Sequence, residues 1–64
     1  MVKINGESIS ADGKRVLEYL EEIGKDPAHV AVMVNGEILP KAEYENYVMN
    51  DGNEVEIIGF VGGG

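Results

Sequence analysis

The sequence EVEIIGFV, from Glu54 to Val61, determines how this chain can fold. Its first half alternates charged and apolar residues, which is typical of a β-strand with one buried face. Val55 and Ile57 share that face, and the two glutamates point to the other. Three glycines, Gly62-Gly63-Gly64, follow the strand directly. The position of this strand in the sheet therefore decides where the terminal glycines leave the protein.

Length and composition predict one small domain. The chain has 64 residues and no cysteine, so neither a disulfide nor a thiolate metal site can stabilise it. Its apolar fraction of 44% is ordinary for a globular protein. There is neither a signal-peptide pattern nor an apolar run long enough to span a bilayer, so we expect a soluble, cytoplasmic protein.

The charge balance narrows the choice of partners. Twelve acidic residues against five basic ones give a net charge of -7. Nucleic acids and anionic membranes would repel such a chain, so we predict neither as a partner. A protein partner with a basic face is compatible with this charge, which can also serve only to keep a small domain in solution.

The N-terminal residues predict a β-hairpin. Residues 1–5 alternate apolar and polar side chains, as a half-buried strand does. Asn5-Gly6 is a strong signal for a two-residue turn, because both turn positions need a positive φ. Residues 7–11 then form the returning strand, with Ile9 towards the core.

A helix is predicted from Lys14 to Gly24. Asp12 is a candidate N-cap, and Gly24 is a favourable residue just past the helix. The apolar residues at helical spacing form one stripe that would face the sheet. They are Val16, Leu17, Leu20 and Ile23.

The middle of the chain predicts a second hairpin. Val30 to Val34 is apolar on both faces, which favours a strand inside the sheet. Asn35-Gly36 repeats the turn signal, and the short return of residues 37–39 ends at Pro40, which cannot donate a hydrogen bond to a ladder. Residues 41–49 are ambiguous, and an irregular or 3₁₀-like turn that packs Tyr44 and Tyr47 on the core is one solution.

The order of elements predicts an α+β fold with a mixed sheet of four to five strands and one main helix across one face. The last strand follows both hairpins, so its natural place is the middle of the sheet, parallel to the first strand. This is the ubiquitin-like β-grasp arrangement. We expect a β-grasp domain over residues 1–61 and a flexible glycine tail over residues 62–64.

The chain also resembles the ThiS family of small sulfur carriers of thiamine biosynthesis. The resemblance covers the chain from Met1 to Gly64 and depends on motifs in a fixed order. These are VNGEILP, DGNEVEIIGFV and the terminal Gly-Gly. Two positions depart from the family pattern: Asn53 stands where an aspartate is usual, and Arg15 stands where Thr or Ser commonly precedes the helix.

The resemblance implies a definite chemistry at Gly64. An adenylyltransferase of the ThiF type would attach AMP to its carboxylate, sulfur from a cysteine desulfurase relay would displace AMP, and a thiazole synthase of the ThiG type would take the sulfur. The chain would be a carrier and not an enzyme. It would bind no cofactor itself, and ATP would be used by the activating partner.

The glycines suit this chemistry on physical grounds. Gly62 and Gly63 lack a Cβ, so they could pass through a narrow channel and give access to the terminal carboxylate. A mixed anhydride with AMP must be kept from water in a closed site. A glycine run at the end of a chain can also be a frayed end without function.

Ile58 and Phe60 are the candidate residues for partner docking. They alternate onto the face opposite Val55 and Ile57, directly before the tail. An apolar patch there would mark a partner site. The alternative is that both are ordinary core residues of a strand whose phase shifts at Gly59.

Two other functions share this fold. One is a sulfur carrier for molybdopterin or another pathway, and the other is a ubiquitin-like modifier joined to lysines through Gly64. No metal site is predicted, because His29 has no second histidine or cysteine at ligand spacing. No catalytic residue is predicted either, because the chain has no cysteine nucleophile and no serine in a G-x-S-x-G setting.

Overall fold

The last described strand runs through the middle of a mixed sheet. The computed structural model describes residues 1–59, and the predictions for Phe60, Val61 and the tail lie outside this range. The strands are β1 (Val2–Ile4), β2 (Glu7–Ile9), β3 (Val30–Val34), β4 (Glu37–Leu39) and β5 (Glu54–Gly59). The one α-helix of residues 1–59 is α1 (Val16–Glu22), and Pro27–His29 and Lys41–Glu43 form 3₁₀ turns.

The strand order β2-β1-β5-β3-β4 confirms the predicted α+β arrangement. β5 lies parallel to β1 and antiparallel to β3, so it joins the two hairpins into one sheet. This is the β-grasp topology, and all five described strands belong to it. Because β5 has a neighbour on each side, its position is fixed by two ladders of hydrogen bonds.

Both Asn-Gly pairs form the predicted tight turns. Asn5 and Asn35 each have φ 51°, and the glycines that follow them have φ 84° and 85°. These angles belong to the left-handed region, which asparagine and glycine tolerate better than other residues. The conformation of both turns is therefore determined by the local sequence.

The helix is shorter than predicted, and its start is different. Arg15 is the N-cap with an extended backbone, and Asp12 is not, so that prediction was wrong. Lys14 and Gly13 instead pair with Met49 through backbone hydrogen bonds of 2.8 Å. The Glu18 carboxylate accepts a hydrogen bond from the Arg15 N–H at 3.0 Å. The Arg15 side chain has no hydrogen-bond acceptor, so it cannot cap the free N–H groups of the helix in return.

Backbone carbonyls from a distant segment replace the missing side-chain cap. The N–H groups of Val16 and Leu17, which have no partner within the helix, donate to Tyr47 O at 2.9 Å and Tyr44 O at 2.8 Å. The helix start is thus tied to the segment after β4. This explains why Arg15 is acceptable where an N-capping side chain is usual.

The helix ends as predicted at Gly24, which has φ 73°. Its N–H donates to Glu21 O, and the N–H of Lys25 donates to Leu20 O, which is a Schellman motif. Ile23 lies past the last helical turn and is exposed, so the predicted apolar stripe stops at Leu20.

The core lies between α1 and one face of the sheet. It contains the buried residues Val2, Ile4, Ala11, Val16, Leu20, Val30, Val32, Val34, Leu39, Tyr44, Met49 and Val55. The ambiguous segment does form a 3₁₀ turn that packs Tyr44 on the core. The Tyr44 hydroxyl accepts a hydrogen bond from the Val32 N–H at 3.2 Å, so a side chain completes the hydrogen bonding of β3.

Candidate functional site at the end of the last strand

Among residues 1–59, the one α-helix, α1, covers one face of the sheet, and we call the other face the open face. Ile57 pairs with Val32 and packs against the core on the covered face. Ile58 is 47% exposed and pairs with Ala31 on the open face. The possibility that Ile58 is a core residue is therefore excluded, and the predicted docking role still has to be tested.

Ile58 belongs to an apolar group on the open face. We define the open-face patch as Ala31, Met33, Ile38 and Ile58. Met33 pairs with Ile38 across the second hairpin, and Ile38 is 75% exposed. An exposed cluster of this kind on a small domain is typical of a surface that binds a partner.

Met33 and Ile38 were not predicted as members of this surface. A two-residue Asn-Gly turn sets the register of the hairpin, and directly paired residues point to the same face. Met33 lies two residues before Asn35 and Ile38 lies two residues after Gly36, so their pairing was available from that turn alone. What the turn does not show is that α1 covers the other face.

Glu56 places a carboxylate beside the open-face patch. It pairs with Met33 and precedes Ile58 by two residues on the same face of β5. It is exposed, and the whole chain carries a net charge of -7. A partner that covers the patch must therefore accommodate a negative charge next to an apolar contact.

The end of β5 is held on both sides. On the β3 side, Gly59 pairs with Val30. On the β1 side, the Asn5 carboxamide takes over where β1 has ended: its Oδ1 accepts from the Ile57 N–H at 2.8 Å, and its Nδ2 donates to Ile57 O at 3.3 Å. Asn5 therefore extends the pairing of β5 beyond the last residue of β1.

Asn35 makes a similar connection at the start of β5. Its N–H donates to Glu54 O at 2.7 Å, and its Oδ1 accepts from the Glu54 N–H at 2.9 Å. The two turn asparagines thus hold opposite ends of the same strand. Neither connection was predicted, because the sequence shows which residues can turn but not which strand lies beside them.

The other titratable groups offer no catalytic arrangement. His29 is exposed, with Nδ1 at 3.5 Å from Asp26 Oδ2. Within residues 1–59, no group of three or more histidines or acidic residues could hold a metal ion. The Met1 amino group donates a hydrogen bond to Asp51, which raises the pKa of the amino group and lowers the pKa of the carboxyl.

The described part of the chain contains no helix that is both long and apolar enough to cross a membrane. Gly62, Gly63 and Gly64, predicted as the access tail and the sulfur-carrying terminus, lie outside the described residues, as does Phe60. The described residues end in a central strand whose last residues are held by β3 and by Asn5.

The model of the ThiS family matches residues 2–64 of this chain, which includes the terminal glycines. The chain belongs to the ThiS family. It is a sulfur carrier of thiamine biosynthesis and not an enzyme. Membership confirms the resemblance stated from the motifs, and it decides between the thiamine carrier and the two other functions considered for this fold.

Relatives of known name agree with this assignment. The sulfur carrier protein ThiS of Thermus thermophilus is 38% identical over 64 residues, which is the full length of both chains. The crystal structure of the thiamine biosynthesis protein ThiS from Geobacter metallireducens has a TM-score of 0.76 and 30% identity, over 98% of this chain and 97% of that one.

A thiazole synthase of Paramagnetospirillum magneticum is also similar. It is 44% identical over 62 residues, which is 95% of this chain but 19% of that protein. The chain therefore spans about a fifth of that relative. That thiazole synthase therefore contains a segment similar to almost the whole of this chain.

Proposed function

We propose that this ThiS family member carries sulfur as a thiocarboxylate on Gly64. The observation that supports this most is that the family match extends to residue 64 and so includes the terminal glycines. A carboxylate at the end of a glycine run can enter a partner's closed site, since no Cβ widens the tail. A second support is that the described chain ends in β5, the central strand of the sheet, three residues before Gly62.

The proposed reaction has three steps. A carboxylate oxygen of Gly64 attacks the α-phosphorus of ATP in an adenylyltransferase of the ThiF type, and pyrophosphate leaves. The terminal sulfur of a persulfide on the cysteine desulfurase relay then attacks the acyl carbon, and AMP leaves with that oxygen. A second thiol of the relay finally cleaves the resulting acyl disulfide, which frees the thiocarboxylate and leaves a disulfide on the relay. The chain's own part is to present the carboxylate, and the need for ATP supports the cytoplasmic location predicted from the sequence.

The sulfur then passes to a thiazole synthase of the ThiG type. The ThiS-like segment in the thiazole synthase of Paramagnetospirillum magneticum supports this partner. In a fused protein the carrier and its acceptor are held together, whereas a separate carrier must find the enzyme by a docking surface. We propose the open-face patch together with Phe60 as the surface on which both the activating enzyme and the thiazole synthase dock.

Intact mass tests the proposed chemistry. The chain is incubated with ATP, cysteine, the desulfurase and its activating enzyme. We expect the mass to rise by the difference between one sulfur and one oxygen atom. A variant that lacks Gly64 should fold normally and keep its mass. An unchanged mass of the full chain, with an activating enzyme shown to consume ATP, would contradict the proposal.

Phe60→Ala tests the docking surface separately. We expect it to raise the KM of the activating enzyme for the carrier more than it lowers the Tm of the carrier. The physical reason is that an aromatic side chain at an interface centre is often among the residues that dominate affinity. Proportional losses of activation and thermal stability would show that Phe60 serves folding instead.

A further inference from the structure

The Asn5 carboxamide makes two hydrogen bonds that the formation of its turn does not require. A positive φ at Asn5 would be satisfied equally by glycine, which adopts that conformation at no steric cost. Asn5 nevertheless places both polar ends of its amide on the backbone of Ile57, at 2.8 and 3.3 Å. These two bonds are therefore separate from the formation of the turn.

The two bonds act where β5 loses its neighbour. β1 ends at Ile4, whose partner is Val55, and the last regular bond of this ladder runs from the Asn5 N–H to Val55 O at 2.9 Å. The turn then carries the chain away. The Asn5 amide stands in for the next peptide of β1 and satisfies the N–H and C=O of Ile57.

The opposite edge of β5 remains paired further along. Ile58 pairs with Ala31, and Gly59 pairs with Val30. Loss of the Asn5 amide would therefore leave β5 bound to β3 but unrestrained on its β1 side from Ile57 onward. Such a change loosens the end of the strand without removing core contacts, because Asn5 is exposed.

We infer that Asn5 is a positioning residue for the carrier tail. Its amide fixes the direction in which β5 ends, and so limits the positions that the terminal carboxylate can take when the body of the carrier is docked. This inference rests on the proposed function of Gly64. Correct placement of a reacting group contributes strongly to rate, and a misplacement of about 1 Å can cost about 100-fold.

Asn35 provides a matched control within the same protein. It has the same φ, precedes a glycine in the same kind of turn, and its Oδ1 bonds a backbone N–H of β5. Its partner is Glu54, at the end of β5 that is remote from the tail. Asn5→Gly and Asn35→Gly both keep the turn conformation and remove a side-chain connection to β5.

The experiment compares thiocarboxylate formation by these two variants and the unmodified chain. We expect Asn5→Gly to lower kcat by about 10-fold or more while KM for the carrier stays within about twofold, because the open-face patch is unchanged. Asn35→Gly should leave kcat within about twofold even if it lowers the Tm as much. Amide hydrogen exchange at Ile57 should accelerate in Asn5→Gly alone.

Asn5→Asp provides a graded test and keeps the proposal testable if the glycine variant folds poorly. The carboxylate of this variant can still accept from the Ile57 N–H but cannot donate to Ile57 O. The kcat measured with this variant should therefore lie between the values for the unmodified chain and for Asn5→Gly. Equal kcat values for Asn5→Gly and Asn35→Gly, or an effect confined to KM, would overturn the inference. If the unmodified chain itself gains no sulfur, the proposed function fails instead.

Discussion

Ile57 and Ile58 are neighbours with the same side chain, yet they belong to opposite faces of β5. Ile57 packs against the core beneath α1, and Ile58 is 47% exposed in the open-face patch. The covered face buries the apolar surface that folds the domain, and the open face keeps apolar surface in water. If the open face has the proposed docking role, substitutions at these two adjacent residues should change stability and partner binding separately.

The largest effect is expected in the core between α1 and the covered face. Leu20→Ala removes a fully buried side chain and should lower the free energy of unfolding by about 2–5 kcal/mol. Urea denaturation measures it. Ile38→Ala, on the open face and 75% exposed, is the control and should change stability by less than about 0.5 kcal/mol. Similar losses would contradict the division between the faces.

The neighbouring isoleucines give the sharpest test of the comparison. Ile57→Ala should cost about 1–3 kcal/mol of stability, because its side chain is half-buried, and leave the affinity of the folded carrier unchanged. Ile58→Ala should do the reverse and weaken binding to the activating enzyme by about fivefold or more. Denaturation and binding titrations on both variants measure the two effects. If both variants lose stability alone, the open-face patch has no role in docking.

Tyr44 tests whether the covered face depends on one side-chain hydrogen bond. Tyr44→Phe keeps the packing of a residue that is 3% exposed but removes the hydroxyl that accepts from the Val32 N–H. Loss of this hydrogen bond should cost about 0.5–1.5 kcal/mol. Tyr47→Phe, at a half-buried tyrosine, is the matched control for loss of a hydroxyl. Unchanged thermal stability of Tyr44→Phe would mean that another acceptor replaces the hydroxyl.

The smallest effect is expected at the exposed contact between Met1 and Asp51. Asp51 raises the pKa of the Met1 amino group from 8.0, and the ammonium lowers the pKa of Asp51 from 3.8. The contribution of Asp51 is therefore lost as pH falls below about 3.8, and that of Met1 is lost as pH rises past the raised pKa above 8.0.

Asp51→Asn should lower the Tm slightly between these limits and have no effect beyond them. Added salt should reduce the difference, because the groups are exposed and screened. A Tm difference that is constant from acid to alkaline pH would assign the effect to the turn at Asp51 and not to the charge pair.

Local patterns in the sequence were enough for most of the fold. The alternation in β1 and β5, the two Asn-Gly turns and the stop at Gly24 depend on interactions within a few residues, so a reader of the sequence can assign them. The central place of β5 followed from the order of the elements. Ile58 was recognised as facing away from Val55, because side chains of a strand alternate with a period of two.

Contacts between distant segments were decided only by the tertiary structure. The helix start at Val16 depends on carbonyls of Tyr44 and Tyr47, which no local cap signal reveals. The amides of Asn5 and Asn35 reach β5 because topology brings that strand beside both turns. A residue's conformation is set largely by its neighbours in sequence, whereas its hydrogen-bond partner is set by whatever the folded chain places next to it. The sequence therefore predicts the turns and the alternation of side chains along the strands. The topology of the sheet determines which backbone groups the two turn asparagines bind.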